Sequence, residues 1–167
     1  KPGTAFAGLR DGRLVALQEG RELWTAETGA KVNCLAVGDL TGDASPEILA
    51  GTDGQRLVCF SSEGKVLWSR DFPDFWGRKG NPQWLGVGDV DGDGRNEAVA
   101  SVENWHYYCL EGADGAVRDC LALRCHIETG KARPEQSAAG LKPFLDRQPK
   151  TRLAGGSGIQ STPIGHP

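Results

Sequence analysis

The sequence has no apolar run approaching the roughly 20 residues that a membrane-spanning helix requires. No charged segment followed by an apolar one opens it in the manner of a secretory signal. A basic excess is also missing: the formal net charge is -3, which leaves no electrostatic footprint for nucleic acid or for an anionic membrane. There is no GxSxG elbow, no HExxH pair and no Walker loop. The three histidines, His106, His126 and His166, stand far apart along the chain, so support for catalysis is thin. Methionine is absent and the chain begins at Lys1, so a processed product or an excerpt of a longer chain is expected.

What is abundant is glycine, 24 of 167 residues, with 9 prolines and 5 tryptophans. That mixture favours many turns and short strands over long helices. Hydrophobic residues make up 38% and charged residues 25%, an ordinary globular balance that can bury the core of one domain. An internal repeat decides the architecture. "VGDLTGDASPEILAGT" (37 to 52) superposes without a gap on "VGDVDGDGRNEAVASV" (87 to 102), an offset of 50 residues. Downstream, "RLVCFSSEGKVLW" (56 to 68) stands where the later copy has "HYYCLEGADGAVRD" (106 to 119), which makes Cys59 and Cys109 equivalent. An earlier copy, "AGLRDGRLVALQEGRELW" (7 to 24), aligns with "AGTDGQRLVCFSSEGKVLW" (50 to 68), placing Ala16 in the cysteine slot and Trp24 opposite Trp68.

Each unit reads as short alternating segments between Gly, Asp and Asn turns, the period of antiparallel strands. Four strands in about 40 to 50 residues is the size of a propeller blade. The expected fold is therefore all-β, with about three four-stranded antiparallel blades. Residues 1–33 form a partial blade, 34–83 a blade with a degenerate acidic loop, 84–125 a blade with a full acidic loop, 126–158 an irregular insertion and 159–167 a possible strand of the next or closing blade. Three blades are fewer than the four to eight of ordinary propellers. The unit is thus expected to be part of a longer ring or to complete one with other copies of itself.

The segment "GDVDGDGRNE" (88 to 97) carries four acidic side chains, and is either a cation site or an acidic turn. After a short apolar strand it resembles the calcium loop of VCBS/FG-GAP-type propeller repeats. "DGRLVALQEGRELW" and "DGQRLVCFSSEGKVLW" are similar to the strand-turn-strand-Trp ending of PQQ-like blades. The resemblance covers roughly residues 5 to 123 and implies bound Ca2+. Asp89, Asp91 and Asp93 would offer carboxylates, Arg95 its carbonyl, and Glu97 would close a shell of hard oxygens. Gly92 and Gly94 permit the sharp turn. Asp39, Thr41, Asp43, the carbonyl of Ser45 and Glu47 follow the same spacing in the earlier copy, with Thr for one carboxylate and Ala44 for a glycine. An EF-hand is excluded, because its twelfth position would be Ala100. The competing reading is that Asp and Gly merely make turns; against it, converging carboxylates repel unless a cation neutralises them.

A candidate ligand patch follows from an insertion of six residues before the second acidic loop, within "DFPDFWGRKGNPQW" (71 to 84). Phe75, Trp76, Arg78 and Lys79 lie there, and Trp105 and His106 lie in the next unit. Aromatic faces flanked by cations suit a glycan or protein ligand; the alternative is that they staple the long loop to the blades. Trp24 and Trp68 are expected to pack, as are Trp84, Tyr107 and Tyr108. Cys34, Cys59 and Cys109 occupy apolar strand positions, and a Cys120–Cys125 disulfide is possible. Rigid calcium loops of moderate affinity fill outside the cell, so an extracellular or periplasmic location is expected. The function that emerges is a non-catalytic, calcium-stabilised module for glycan or protein binding or scaffolding. The alternative is part of a polysaccharide-active enzyme: rhamnogalacturonan lyases include calcium-loop propellers, and that analogy implies His106, Arg78 and Lys79 as candidates for proton abstraction.

Overall fold

The structure, a computed structural model, describes residues 3–75 and 77–122. The irregular insertion and closing strand expected for residues 126–167, and Cys125, the expected partner of Cys120, lie outside the described residues. Among the described residues eleven strands follow in chain order: β1 (Thr4–Gly8), β2 (Arg13–Gln18), β3 (Arg21–Glu27), β4 (Val32–Gly38), β5 (Glu47–Thr52), β6 (Arg56–Phe60), β7 (Val66–Asp71), β8 (Pro82–Gly88), β9 (Glu97–Val102), β10 (His106–Glu111) and β11 (Val117–Ala122). They form three antiparallel meanders, β1-β2-β3, β4-β5-β6-β7 and β8-β9-β10-β11. The fold is all-β, as the repeat requires. In the first blade β1 forms the inner edge, where the other two carry a fourth strand.

Local sequence explains the hairpins. Gln18 pairs with Arg21 across the two-residue turn Glu19-Gly20, whose φ angles of 50° and 76° are both positive. This is the turn whose twist matches a right-handed hairpin. The register also shifts at one repeat position in all three blades, after Ala16, Cys59 and Cys109. The extra residues on the outer strands are Leu23, Leu67 and Arg118, and such a bulge turns its side chain away from the pleat.

Stacked blades bury the central strands from both sides. Every residue of β5 is buried: Ile48 and Ala50 join Leu14, Val58 and Phe60 in the core toward the first blade, while Leu49 joins Leu57, Ala98, Ala100 and Leu110 in the core toward the third. Alternate residues of one strand thus feed two cores, and each fully buried large side chain contributes about 1.5 to 3 kcal/mol. The inner strands carry the contact, β4 lying against β1 and β8. Glycine permits the approach: a Cβ on Gly8 would lie 2.3 Å from Val32, and one on Gly51, its repeat equivalent, 2.7 Å from Pro82.

Tryptophan locks each blade to the next. Trp24 donates its indole N–H to the Ser62 carbonyl at 2.9 Å, and Trp68 donates to the Gly112 carbonyl at 2.9 Å. Both acceptors lie in the outer hairpin turn of the following blade. Gly115 (φ 68°) holds its backbone so near the Trp68 ring that a Cβ would meet it at 2.4 Å. Trp24 and Trp68 therefore pack as expected, and Tyr108 is buried against Phe72 with ring centroids 4.6 Å apart. Trp84 departs from expectation: it is 56% exposed. It stands where the second blade has Cys34, which packs against the shared core, but among the described residues no further sheet covers that face of the third blade. Cys59 and Cys109 are buried as small apolar residues would be, and Cys34 is half-buried. Burial, the largest cause, pushes the Cys59 thiol up to about 12 and those of Cys34 and Cys109 up to about 11.

Trp68→Ala should lower the unfolding free energy by about 3 to 5 kcal/mol, and Trp68→Phe by about 1 to 3 kcal/mol because the Gly112 carbonyl loses its donor. Urea denaturation measures both. Effects within about 0.5 kcal/mol, typical of a surface site, would contradict the interlocking role.

Candidate functional site

The two acidic loops connect β4 to β5 and β8 to β9, so they lie at the same end of neighbouring blades. Each is organised by its first and last acid. Asp89 accepts from the backbone N–H of Gly92 (2.6 Å), Asp93 (3.2 Å) and Gly94 (2.9 Å); Asp39 accepts from Gly42 (2.6 Å) and Ala44 (2.9 Å). Glu97 accepts from Val90 at 2.9 Å, and Glu47 from Leu40 at 2.7 Å and Thr41 at 3.0 Å. Gly92 and Gly94 take φ angles of 82° and 86°, and Gly42 and Ala44 take 78° and 65°. Ala44 is thus forced into the left-handed region where the later loop has glycine, at a cost of roughly 1 to 2 kcal/mol.

Three of the five expected groups of the later loop converge. Single carboxylate oxygens of Asp89, Asp91 and Glu97 all lie within 4.8 Å of one another. Among the described residues no other cluster of acids, histidines or cysteines has this geometry. Asp93 is not in it: its carboxylate is paired with Arg95 at 2.7 Å, and the Arg95 guanidinium holds that acid below the usual carboxylate range. In the earlier loop, Thr41 donates to Glu47 Oε1 at 3.4 Å and Asp43 accepts from Ser45 N–H at 2.7 Å, so these groups satisfy one another. Glu97 is 1% exposed; burial, ahead of every other cause, pushes its carboxyl above the usual range, while the Val90 N–H acts in the opposite direction. The donor set is what a hard divalent cation takes: carboxylate oxygens around a tight glycine turn.

The loops also touch each other. Asn96 donates to the Asp39 carbonyl at 2.6 Å. A Cβ on Gly112 would lie 2.3 Å from the Asn96 carbonyl oxygen and 2.6 Å from that of Leu40, so the residue that anchors Trp68 is wedged between both loops.

At the insertion, Phe75 and Arg78 form a backbone bridge, with N–H to carbonyl distances of 3.0 and 2.9 Å. Phe75 meets the His106 ring edge-on at 4.9 Å, and the Arg78 guanidinium lies 5.1 Å from the Trp105 ring centroid. Phe75, Arg78, Trp105 and His106 therefore come together; Trp76 lies outside the described residues. Lys79 is turned to Asp74 at 3.1 Å, and His106 Nδ1 sits 2.9 Å from the Asn104 carbonyl oxygen. Each base named for the enzyme alternative is already held in a local contact. Buried Asn104 staples the insertion by donating to the Pro73 carbonyl at 2.8 Å, a feature sequence reasoning missed. Trp105 is 44% exposed with φ 64°. Its repeat equivalents Gly12 and Gln55 share that conformation, at 92° and 63°, so the slot requires it of whatever residue stands there. A bulky residue held this way costs free energy.

Arg118 was also missed. It contacts Asp91, Glu97 and Glu111. The signal was present in the repeat: the pair Leu-Trp at 23–24 and 67–68 becomes Arg118-Asp119 in the third copy.

No family model matches the chain, and no curated protein is similar to it in sequence. Solved structures are similar in fold. BamB from Moraxella catarrhalis matches with a TM-score of 0.56 at 13% identity, over 71% of this chain and 32% of that one. Sqt1 from Saccharomyces cerevisiae matches with a TM-score of 0.57 at 15% identity, over 72% of this chain and 30% of that one. The likeness shows the β-propeller fold and does not distinguish calcium-loop from PQQ-like repeats. The chain spans about a third of the length of these structures.

Ala44→Gly and Trp105→Gly relieve left-handed strain and should each leave stability unchanged or raise it, by up to about 1 kcal/mol once the lost cation–π contact of Trp105 is deducted. Thermal unfolding in chelator measures this. A fall of more than about 1 kcal/mol in either variant would show that the side chain contributes to folding rather than being tolerated.

Proposed function

We propose that this chain is a calcium-stabilised β-propeller module that binds a glycan or protein surface without catalysing a reaction on it. The observation that carries the metal reading is the convergence of Asp89, Asp91 and Glu97 within 4.8 Å. Those residues would hold the ion, with Asp93 and the Arg95 carbonyl as the further oxygens that the loop spacing offers. A bound Ca2+ would supply positive charge that cross-links the two ends of the β8–β9 loop. The Asp39 to Glu47 loop is the weaker site, because it has fewer carboxylates and Ala44 in place of glycine. An affinity of the extracellular kind, about 10⁻⁴ to 10⁻³ M, is what we propose for these loops, and it would suit an extracellular or periplasmic setting.

The binding surface is the patch of Phe75, Arg78, Trp105 and His106. Exposed aromatic area beside a guanidinium stacks on sugar rings and on peptide planes alike. Further blades, from a longer chain or from other copies of this one, complete the ring. The exposure of Trp84, on the face where the preceding blade packs its neighbour, supports that reading.

Calorimetric titration of chelator-stripped protein at two temperatures tests the metal site. One event of sub-millimolar to millimolar affinity, lost in Asp91→Ala, is expected, with a weaker second event removed by Asp39→Ala. At calcium a hundredfold above Kd the folded state should gain about 2.7 kcal/mol, read as a raised Tm. No heat at either temperature and no shift in Tm would overturn the reading.

A further inference from the structure

The charge of the third-blade loop is not left to solvent. Glu97 and Glu111 oppose each other directly across β9 and β10, an arrangement of like charges that destabilises a sheet. The second blade avoids it, because the residue facing the equivalent Glu47 end of the hairpin is Ser61, next to the Ile48–Phe60 pair. Arg118 enters the gap in the third blade. Its Nη1 lies 3.2 Å from Glu97 Oε1, its Nε lies 3.6 Å from Glu111 Oε1, and its Nη2 pairs with Asp91 Oδ2. Two of the three converging carboxylates thus share one guanidinium.

The oxygens involved are the informative detail. Asp91 Oδ1 already accepts from Asp93 N–H at 3.1 Å, and Glu97 Oε2 from Val90 N–H at 2.9 Å. Each acid has one oxygen committed to the turn and gives the other to Arg118. Arg118 thus competes with a cation for the carboxylate oxygens that the turn leaves without a backbone N–H. Backbone geometry delivers the arginine: Arg118 is the bulge residue of β11, and the same bulge presents Leu23 and Leu67 at 51% and 45% exposure in the other blades. The side chain of Arg118, by contrast, is 28% exposed.

We infer that Arg118 is a built-in counter-cation of the acidic loop, holding with its guanidinium the charge position that a divalent cation would take, so that arginine and metal exclude one another. The inference rests on the calcium reading of that loop. Without metal, Arg118 neutralises the acids and keeps the loop in shape. Metal binds only by releasing it, so the affinity of the loop is lower than its carboxylates alone would give. The Asp39 loop has Leu67 in that slot and faces no such competitor.

The test compares wild type with Arg118→Leu, the residue the fold already holds at this slot, and with Arg118→Gln, in calcium titrations and in thermal unfolding under chelator. Both variants should bind calcium at the Asp89 loop at least tenfold more tightly, unfold at lower temperature in chelator, and recover on adding calcium. In wild type, the Arg118 side-chain N–H resonance should move on calcium addition, a readout that needs no variant to fold. Calcium binding with equal affinity in all three proteins and an unmoved Arg118 resonance would overturn the inference and leave the calcium reading standing. No binding in any of them would overturn both. Binding in the variants and none in wild type would support exclusion of metal by Arg118 and overturn the calcium reading of the wild-type loop.

Discussion

The structure depends on the docking of an indole from each of the first two blades onto the outer turn of the blade that follows. A four-stranded meander cannot bury both of its faces alone, and the blades here share cores in which alternate residues of β5 point in opposite directions. Apolar burial is non-directional and would tolerate some sliding between sheets. The N–H bonds of Trp24 and Trp68 to Ser62 and Gly112 remove that freedom. Gly112 also stands between the carbonyls of Leu40 and Asn96, so the lock that orders the blades sets the distance between the acidic loops. Packing and candidate chemistry are one mechanical system.

Electrostatics at the loops divides the same side chains between two tasks. Asp91 and Glu97 each close the turn with one oxygen through a backbone N–H, and Asp89 does so with both, which is the work of any Asp-Gly turn. The three carboxylates also converge, and convergence of negative charge in a partly buried place needs a cation. Arg118 supplies one in the third blade, and Arg95 draws Asp93 outward. Burial, the largest cause, pushes the Glu97 carboxyl above the usual carboxylate range.

Much of this was legible in the repeat. An offset of 50 residues with matching Gly, Asp and Trp positions fixes blades, turns and the packing tryptophans, because those features are local or recur with the unit. The exposure of Trp84 was not legible, because it depends on what stacks against the third blade, and no property of "NPQW" reports that. Asp93 is paired with Arg95, which sits two residues away and competes for its carboxylate, a contest that spacing cannot rank. Arg118 was visible as a departure from the repeated Leu-Trp pair, yet its direction is set by a bulge, which pairing reveals and sequence does not. The left-handed slot shared by Gly12, Gln55 and Trp105 was hidden for a related reason: only the glycine announces such a conformation.

Diffraction from crystals grown in chelator and in roughly 10 mM calcium, above the range in which extracellular loops fill, is the most direct test of the central claim. The account predicts an anomalous peak bounded by Asp89, Asp91 and Glu97 in the calcium crystals, with Arg118 swung away from Asp91 and Glu97, and Arg118 in place in the chelator crystals. Arg118 still seated on both acids at saturating calcium, with no peak in the loop, would contradict it.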